Sequence, residues 1–120
     1  MPRLGKLEAA VMDVLWSVDA PLTVREVLAK MPPQRSLAYT TVMTVLGNLL
    51  RKGMLEREPV GRAFSYRPTV TRQGAAAASL REILDASDDP RSVLLHFAET
   101  ATEEESDVLR DALARRVPES

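Results

Sequence analysis

Residues 39–51, YTTVMTVLGNLLR, combine helical spacing with an unusual set of side chains. Apolar residues recur every three or four positions, which predicts an amphipathic helix with one side in a core. Those residues are Val42, Leu46, Leu49 and Leu50. The opposite side carries hydroxyls, a thioether and an amide, and no charge before its end: Tyr39, Thr40, Thr41, Met43, Thr44, Asn48 and Arg51. A side exposed only to water usually carries Glu and Lys, which favour helices more than Thr does.

The chemistry of these side chains suits the edges of base pairs in a DNA groove. A threonine hydroxyl can bond to a base or a phosphate, and its methyl group can contact the methyl group of thymine. Asparagine can pair with adenine through two hydrogen bonds. The alternative is an interface with another protein helix, in which Thr, Gly and Met are also common.

Two further helices are predicted before this segment. Apolar periodicity predicts the first over residues 6–17. Thr23 and Glu26 form a capping-box pattern, which predicts that a second helix begins there and covers residues 24–31. Two prolines follow, and proline ends a helix because it lacks an amide donor and clashes with the preceding turn.

After Gly53 the period of the apolar residues changes from about 3.6 to 2 in MLEREPVGRAFSYRP, which predicts a hairpin with a turn at PVGR. Three helices followed by a hairpin is the order of a winged helix-turn-helix, whose third helix enters the major groove. The hairpin, or wing, then reaches the DNA backbone. The candidate phosphate contacts are Arg25 and Arg62, with Arg35, Arg57 and Arg67 in support.

The charges divide the chain into a basic part and an acidic part. Residues 1–68 hold ten Lys and Arg against six Asp and Glu, whereas residues 69–120 hold six Arg against eleven Asp and Glu. A basic part joined to an acidic part indicates a polyanion-binding module followed by a different module. The sequence therefore predicts a DNA-binding domain over residues 1–70 and a helical domain over residues 71–120.

The second domain is predicted to be all α and to form a dimer. It contains three short amphipathic patterns, and Thr102 and Glu105 give the last one a capping box. Helices this short are marginal alone, so their apolar side chains need a partner. These side chains are Leu80, Ile83, Leu84, Leu94, Phe97, Leu109 and Leu113. A two-fold dimer would match a palindromic site, and the alternative is packing against the winged helix of the same chain.

Several other classes of protein are excluded by composition. The chain has no cysteine and one histidine, so it offers no disulfide, thiolate metal site or cysteine nucleophile. A single histidine cannot build a metal cluster, and no phosphate-binding Gly loop or nucleophile turn is present. We therefore expect no enzyme, no metal and no cofactor. No apolar stretch of about 20 residues exists, so a cytoplasmic protein without membrane insertion is expected.

Four segments, LEAAVMDVLW, TVREV, AYTTVMTVLGNLLRKGMLERE and RAFSYRP, closely resemble the penicillinase-repressor (BlaI/MecI) family of bacterial transcription factors. The resemblance extends over nearly the whole chain. It implies an N-terminal winged helix that binds DNA and C-terminal helices that intertwine in a homodimer. It also implies a repressor that blocks transcription from a dyad operator with TACA/TGTA half-sites. By this resemblance, the groove-facing residues are Thr40, Thr41, Met43, Thr44 and Asn48.

The resemblance further implies a response to antibiotic or cell-wall stress. In antibiotic-resistance members, a membrane-bound sensor metalloprotease leads to cleavage between Asn and Phe in the dimerisation module. The matching bond here joins His96 to Phe97, with His in place of Asn. Copper-responsive relatives use C-terminal cysteines, which this chain lacks. The alternatives are a winged-helix regulator that binds a small ligand at its dimer interface, and a protein-interaction adaptor that has lost DNA binding.

Overall fold

The computed structural model describes residues 4–33 and 37–116, so Arg35 lies outside the described residues. The elements in chain order are α1 (Lys6–Trp16), β1 (Leu22–Thr23), α2 (Val24–Lys30), α3 (Tyr39–Arg51), β2 (Leu55–Val60), β3 (Ala63–Pro68), α4 (Arg72–Ala86), α5 (Pro90–Thr100) and α6 (Glu103–Arg115). The chain divides into two compact units, unit 1 with residues 1–79 and unit 2 with residues 80–120. The division falls within α4.

Both predicted capping boxes are confirmed. At the start of α2, the Thr23 hydroxyl accepts from the Glu26 backbone N–H at 3.3 Å, and the Glu26 carboxylate accepts from the Thr23 N–H at 3.0 Å. Thr102 and Glu105 form the same pair of bonds at the start of α6, at 3.1 and 2.8 Å. α2 ends one residue earlier than predicted, because Met31 precedes a proline and adopts an extended backbone.

The predicted hairpin is confirmed, and it belongs to a three-stranded antiparallel sheet of order β1-β3-β2. Its turn is shorter than the predicted PVGR, since Val60 pairs with Ala63 and only two residues connect the strands. The first of them, Gly61, has a φ of +61°, which two-residue hairpin turns require and glycine adopts without strain. Strand β1, which pairs Leu22 with Tyr66, was not predicted from the sequence.

Unit 1 has a continuous apolar core built by α1, α2, α3 and the start of β2. The largest fully buried side chains are Val11, Met12, Leu15, Val27, Val42, Leu46, Leu49 and Met54. In α3, Val45 is also buried, although the predicted apolar stripe omitted it, while Leu50 of that stripe is half-buried. Four buried residues therefore fix which side of α3 faces the core.

Two side-chain contacts join α1 to later parts of unit 1. Lys52, which follows α3, donates to the Glu8 carboxylate of α1 at 2.7 Å. This hydrogen bond, with a second one from the Gly5 N–H, holds the pKa of Glu8 below its ordinary value. The Trp16 indole N–H donates to the Val70 carbonyl at 2.9 Å, so the segment that leads into α4 is fixed to α1.

The described residues of unit 2, 80–116, form no buried core. Helices α5 and α6 contain no buried residue, and the same holds for α4. Its exposed large apolar side chains are Leu80, Ile83, Val93, Leu94, Leu95, Phe97, Val108, Leu109 and Leu113. Within the part of the chain that the structure describes, no helix has the length and apolar character that a membrane crossing would need.

Candidate nucleic-acid interface

The outer side of α3 consists of Tyr39, Thr40, Thr41, Met43, Thr44, Gly47, Asn48 and Arg51. Tyr39 and Met43 are 40% and 45% exposed, the three threonines are exposed, and Asn48 is half-buried. No acidic residue lies in the helix, and Arg51 is its only charged side chain. The outer side therefore offers neutral donors, acceptors and methyl groups together with one cation, and a negatively charged duplex meets no carboxylate on it.

One contact links two side chains of the outer side. The Arg51 guanidinium donates a hydrogen bond to the Asn48 side-chain oxygen. The guanidinium reaches back over Gly47, because a Cβ placed on that glycine would lie 3.7 Å from Arg51 Nη1. Both residues were predicted to lie on the outer side of this helix, but their contact was not predicted.

A cleft of about 400 Å³ separates the start of α3 from the wing, which comprises β2, β3 and their turn. It brings together four of the sequence-predicted DNA contacts, Arg25, Tyr39, Met43 and Arg62. The Arg25 guanidinium carbon lies 5.3 Å from the centre of the Tyr39 ring, a distance at which a cation is attracted to the ring face. The remaining predicted contacts lie on α3 outside this cleft: Thr40, Thr41, Thr44, Asn48 and Arg51.

The arginines of the wing differ in their surroundings. Arg62 is exposed at the turn, and no carboxylate among the residues that the structure describes pairs with it. Arg67 pairs with Glu56 at 2.6 Å and with Glu58 at 3.5 Å, and its hydrogen bond to Glu56 raises the pKa of Arg67. The charge of Arg67 is thus balanced within the wing, whereas that of Arg62 is available to a phosphate.

Phe64 is a candidate contact that the sequence did not reveal. Strand alternation placed it on the same side as Tyr66, but Tyr66 is 4% exposed and Phe64 is 39% exposed. Phe64 lines the cleft, and the Arg57 guanidinium carbon lies 4.0 Å from the centre of its ring. The Arg57 guanidinium therefore lies over the Phe64 ring on the wing, and Arg57 is exposed to solvent.

The predicted dimerisation residues lie on open apolar surface in unit 2. A groove of about 230 Å³ is lined by Leu80, Ile83, Leu84, Val93, Leu94 and Phe97, of which Val93 was not predicted. On α6, Leu109 and Leu113 are 49% and 61% exposed.

The predicted cleavage bond lies inside α5. The ring Nδ1 of His96 is 2.9 Å from the Ser92 carbonyl oxygen, one helical turn earlier, and Phe97 is half exposed. Over residues 4–33 and 37–116, no group of three or more His, Asp or Glu side chains is arranged to hold a metal ion.

Comparison with known proteins identifies the family. The Penicillinase repressor family model matches residues 4–115. The transcriptional regulator BlaI of Mycobacterium tuberculosis is 43% identical over 117 residues, covering 95% of this chain and 85% of that protein.

Two solved structures are similar in fold. The DNA-binding domain of the repressor BlaI superposes with a TM-score of 0.54 at 27% identity, over 61% of this chain and 88% of that one. Bacillus licheniformis BlaI, in its monomeric form in complex with the blaP half-operator, gives a TM-score of 0.51 at 27% identity, with the same coverage of 61% and 88%. The predicted fold class, mainly α with a small hairpin wing, is confirmed. The family model and the 43% identity over nearly the whole chain show that this protein belongs to the penicillinase-repressor family.

Proposed function

We propose that this protein is a transcriptional repressor that binds a palindromic DNA operator sequence-specifically as a homodimer. The observation that carries the proposal is the outer side of α3, which presents hydroxyls, an amide and one cation. Beside it lies the wing, whose Arg62 has no carboxylate partner among the residues that the structure describes. The family is one of transcriptional regulators, and the chain is not an enzyme.

In this proposal, residues 1–70 form the DNA-binding module and α3 enters the major groove. Thr40, Thr41, Thr44 and Asn48 then face base edges, with Tyr39 and Met43 at the start of the helix. Hydroxyls and an amide supply hydrogen bonds that differ between base pairs in that groove, so these side chains would provide sequence preference. Arg25 and Arg62 would contact phosphates on either side of the cleft. Such contacts set the register of the protein on DNA and most of its affinity.

Residues 71–120 would form the dimerisation module. Helices α5 and α6 contain no buried residue. Each Leu, Ile or Phe side chain that becomes fully buried contributes about 1.5–3 kcal/mol. A second copy of the same surface supplies a partner that is apolar at matching positions. A two-fold dimer also places two α3 helices on two half-sites, as a palindromic operator requires.

Fluorescence anisotropy with a labelled duplex from upstream of the gene tests the proposal. A scrambled duplex of the same composition is the control, and both are titrated at two salt concentrations. We expect tighter binding to the first duplex, saturation at two chains per duplex and weakening with salt. If both duplexes bind equally, the titration is repeated with duplexes enriched from a random library. Equal binding of enriched and scrambled duplexes would contradict sequence-specific recognition and favour the adaptor alternative.

We propose further that derepression follows proteolysis of the His96–Phe97 bond, with a membrane-bound sensor metalloprotease as the upstream partner. Cleavage there would separate α6 and Phe97 from the rest of the proposed dimer surface. Proteases bind extended chains, so α5 must unwind before cleavage. Because α5 contains no buried residue, the free energy of this local unfolding is lower. Mass spectrometry of the protein from cells exposed to a β-lactam should detect a new C-terminus at His96. Derepression with the chain intact would exclude this route.

A further inference from the structure

We propose that Arg51 is a positioning residue that fixes the orientation of the Asn48 carboxamide, and that Asn48 recognises its base pair only when Arg51 holds it. This inference rests on the proposed function, because it assumes that α3 enters a DNA groove. It differs from the simpler assignment of Arg51 as a phosphate contact, and the two assignments predict opposite results.

Three observations support a positioning role. The Arg51 guanidinium donates to the Asn48 oxygen rather than to an acid, and no carboxylate in the described part of the chain lies within ion-pair distance of Arg51. The guanidinium folds back along the helix beside position 47, where a Cβ would lie in ordinary van der Waals contact with Arg51 Nη1 at 3.7 Å. Asn48 is half-buried, whereas the three threonines of the outer side are exposed, so the amide has fewer alternative orientations.

The chemistry of the amide explains why its orientation matters. Asparagine pairs with adenine by accepting from the N6 amino group and donating to N7, so its oxygen and nitrogen must occupy defined places. A rotation of 180° about the last side-chain bond exchanges donor and acceptor and destroys this match. Guanidinium is only a donor, so it stabilises the orientation in which the amide oxygen faces it. The oxygen keeps a second lone pair, and the amino group stays free to donate.

A phosphate contact would behave differently. Loss of such a contact weakens binding to every duplex and lowers the dependence of affinity on salt by about 0.9 per contact. Loss of a positioning residue removes no phosphate contact, so binding to unrelated DNA falls much less. It removes discrimination at one base pair, which is worth roughly 5- to 150-fold for a well-placed pair of hydrogen bonds.

The test is a double-mutant cycle on a duplex that the wild-type protein selects from a random library. The wild type, Asn48→Ala, Arg51→Ala and the double variant are titrated against that duplex, against all its single-base-pair variants and against an unrelated duplex, over several salt concentrations. Arg62→Ala, which removes the same charge from the wing, is the matched control. Both residues of the cycle lie on the protein surface, and far-UV circular dichroism verifies the fold of each variant.

We expect Asn48→Ala and Arg51→Ala to abolish discrimination at the same base pair, and the double variant to lose no more than Asn48→Ala alone. Affinity for unrelated DNA and the salt dependence should fall clearly less for Arg51→Ala than for Arg62→Ala, because Arg51→Ala removes no phosphate contact. An equal loss on all duplexes with a lower salt dependence, or additive losses at different base pairs, would overturn the positioning role and leave the proposed function intact. A wild-type protein that selects no duplex would overturn both.

Discussion

The wing offers a prediction in which two arginines of equal charge have different effects on DNA binding. Arg62 is exposed at the turn with no carboxylate partner among the described residues, whereas Arg67 is paired with Glu56 and Glu58. Replacement of either by alanine changes the net charge of the chain by the same amount. Any difference between the two variants therefore reports contact with a phosphate rather than long-range attraction.

The expected magnitude follows from the number of wings in the proposed dimer. Each lost phosphate contact lowers the slope of log affinity against log salt by about 0.9, so two copies of Arg62→Ala should lower it by about 1.8. The wild type loses affinity when the salt is raised from 50 to 200 mM. A slope lower by about 1.8 makes this loss roughly twelvefold smaller for Arg62→Ala. Arg67→Ala should change the slope by less than half as much, because its guanidinium is already neutralised within the wing.

The assay is fluorescence anisotropy of the wild type and both variants at five or more salt concentrations, on the specific duplex and on an unrelated one. The Arg62→Ala effect should be the same on both duplexes, since a phosphate carries no sequence information. An unchanged slope for Arg62→Ala would show that the wing does not contact phosphate. Equal slope changes for the two variants would refute the argument that the ion pairs of Arg67 keep it from the duplex.

Three further predictions concern base recognition, the stability of unit 1 and the dimer. Thr44→Ala combined with Asn48→Ala should reduce the ratio of specific to random DNA affinity measured by anisotropy; an unchanged ratio would remove these residues from base recognition. Glu8→Gln should lower the free energy of unfolding at pH 7 by about 1–2 kcal/mol, since it weakens a charged hydrogen bond to the one-third-exposed Lys52. That bond holds the pKa of Glu8 below its ordinary value of 4.5. Urea titrations should therefore show the full loss of unfolding free energy above pH 4.5, and a smaller loss as the pH falls through the pKa of Glu8 in the folded protein. A loss that does not change with pH would contradict this assignment. Leu113→Glu should shift sedimentation equilibrium towards monomers, and unchanged association would place α6 outside the interface.

The helices and their starts could be predicted because local signals determine them. Both capping boxes join residues three positions apart, and the apolar period of α3 follows from its own sequence. Contacts between distant residues left no such signal. The hydrogen bond from Trp16 to Val70 spans 54 positions, and β1 has only two residues, too few to show a period.

The pairing in the wing was missed for a different reason, because the sequence contained the necessary signal. Turn length sets the register of a hairpin. A four-residue turn at PVGR places Glu58 opposite Ala63, whereas the observed two-residue turn places Glu56 opposite Arg67. Glycine at the first position suits a two-residue turn, so Gly61 followed by Arg62 was the feature that indicated the turn length. With that register, the ion pair that neutralises Arg67 could have been anticipated.

The energetics of α3 explain how its outer side can carry residues that disfavour a helix. Three threonines and one glycine in place of alanine cost roughly 3 kcal/mol of helix stability. Burial of the four core-facing residues, Val42, Val45, Leu46 and Leu49, contributes about 6–12 kcal/mol. Because packing outweighs this propensity cost at least twofold, the helix tolerates the three threonines and the glycine on its outer side. The residue types on the outer side are therefore not required for helix stability and can serve the binding of a partner. Because this side carries no carboxylate, it does not repel a polyanion such as DNA.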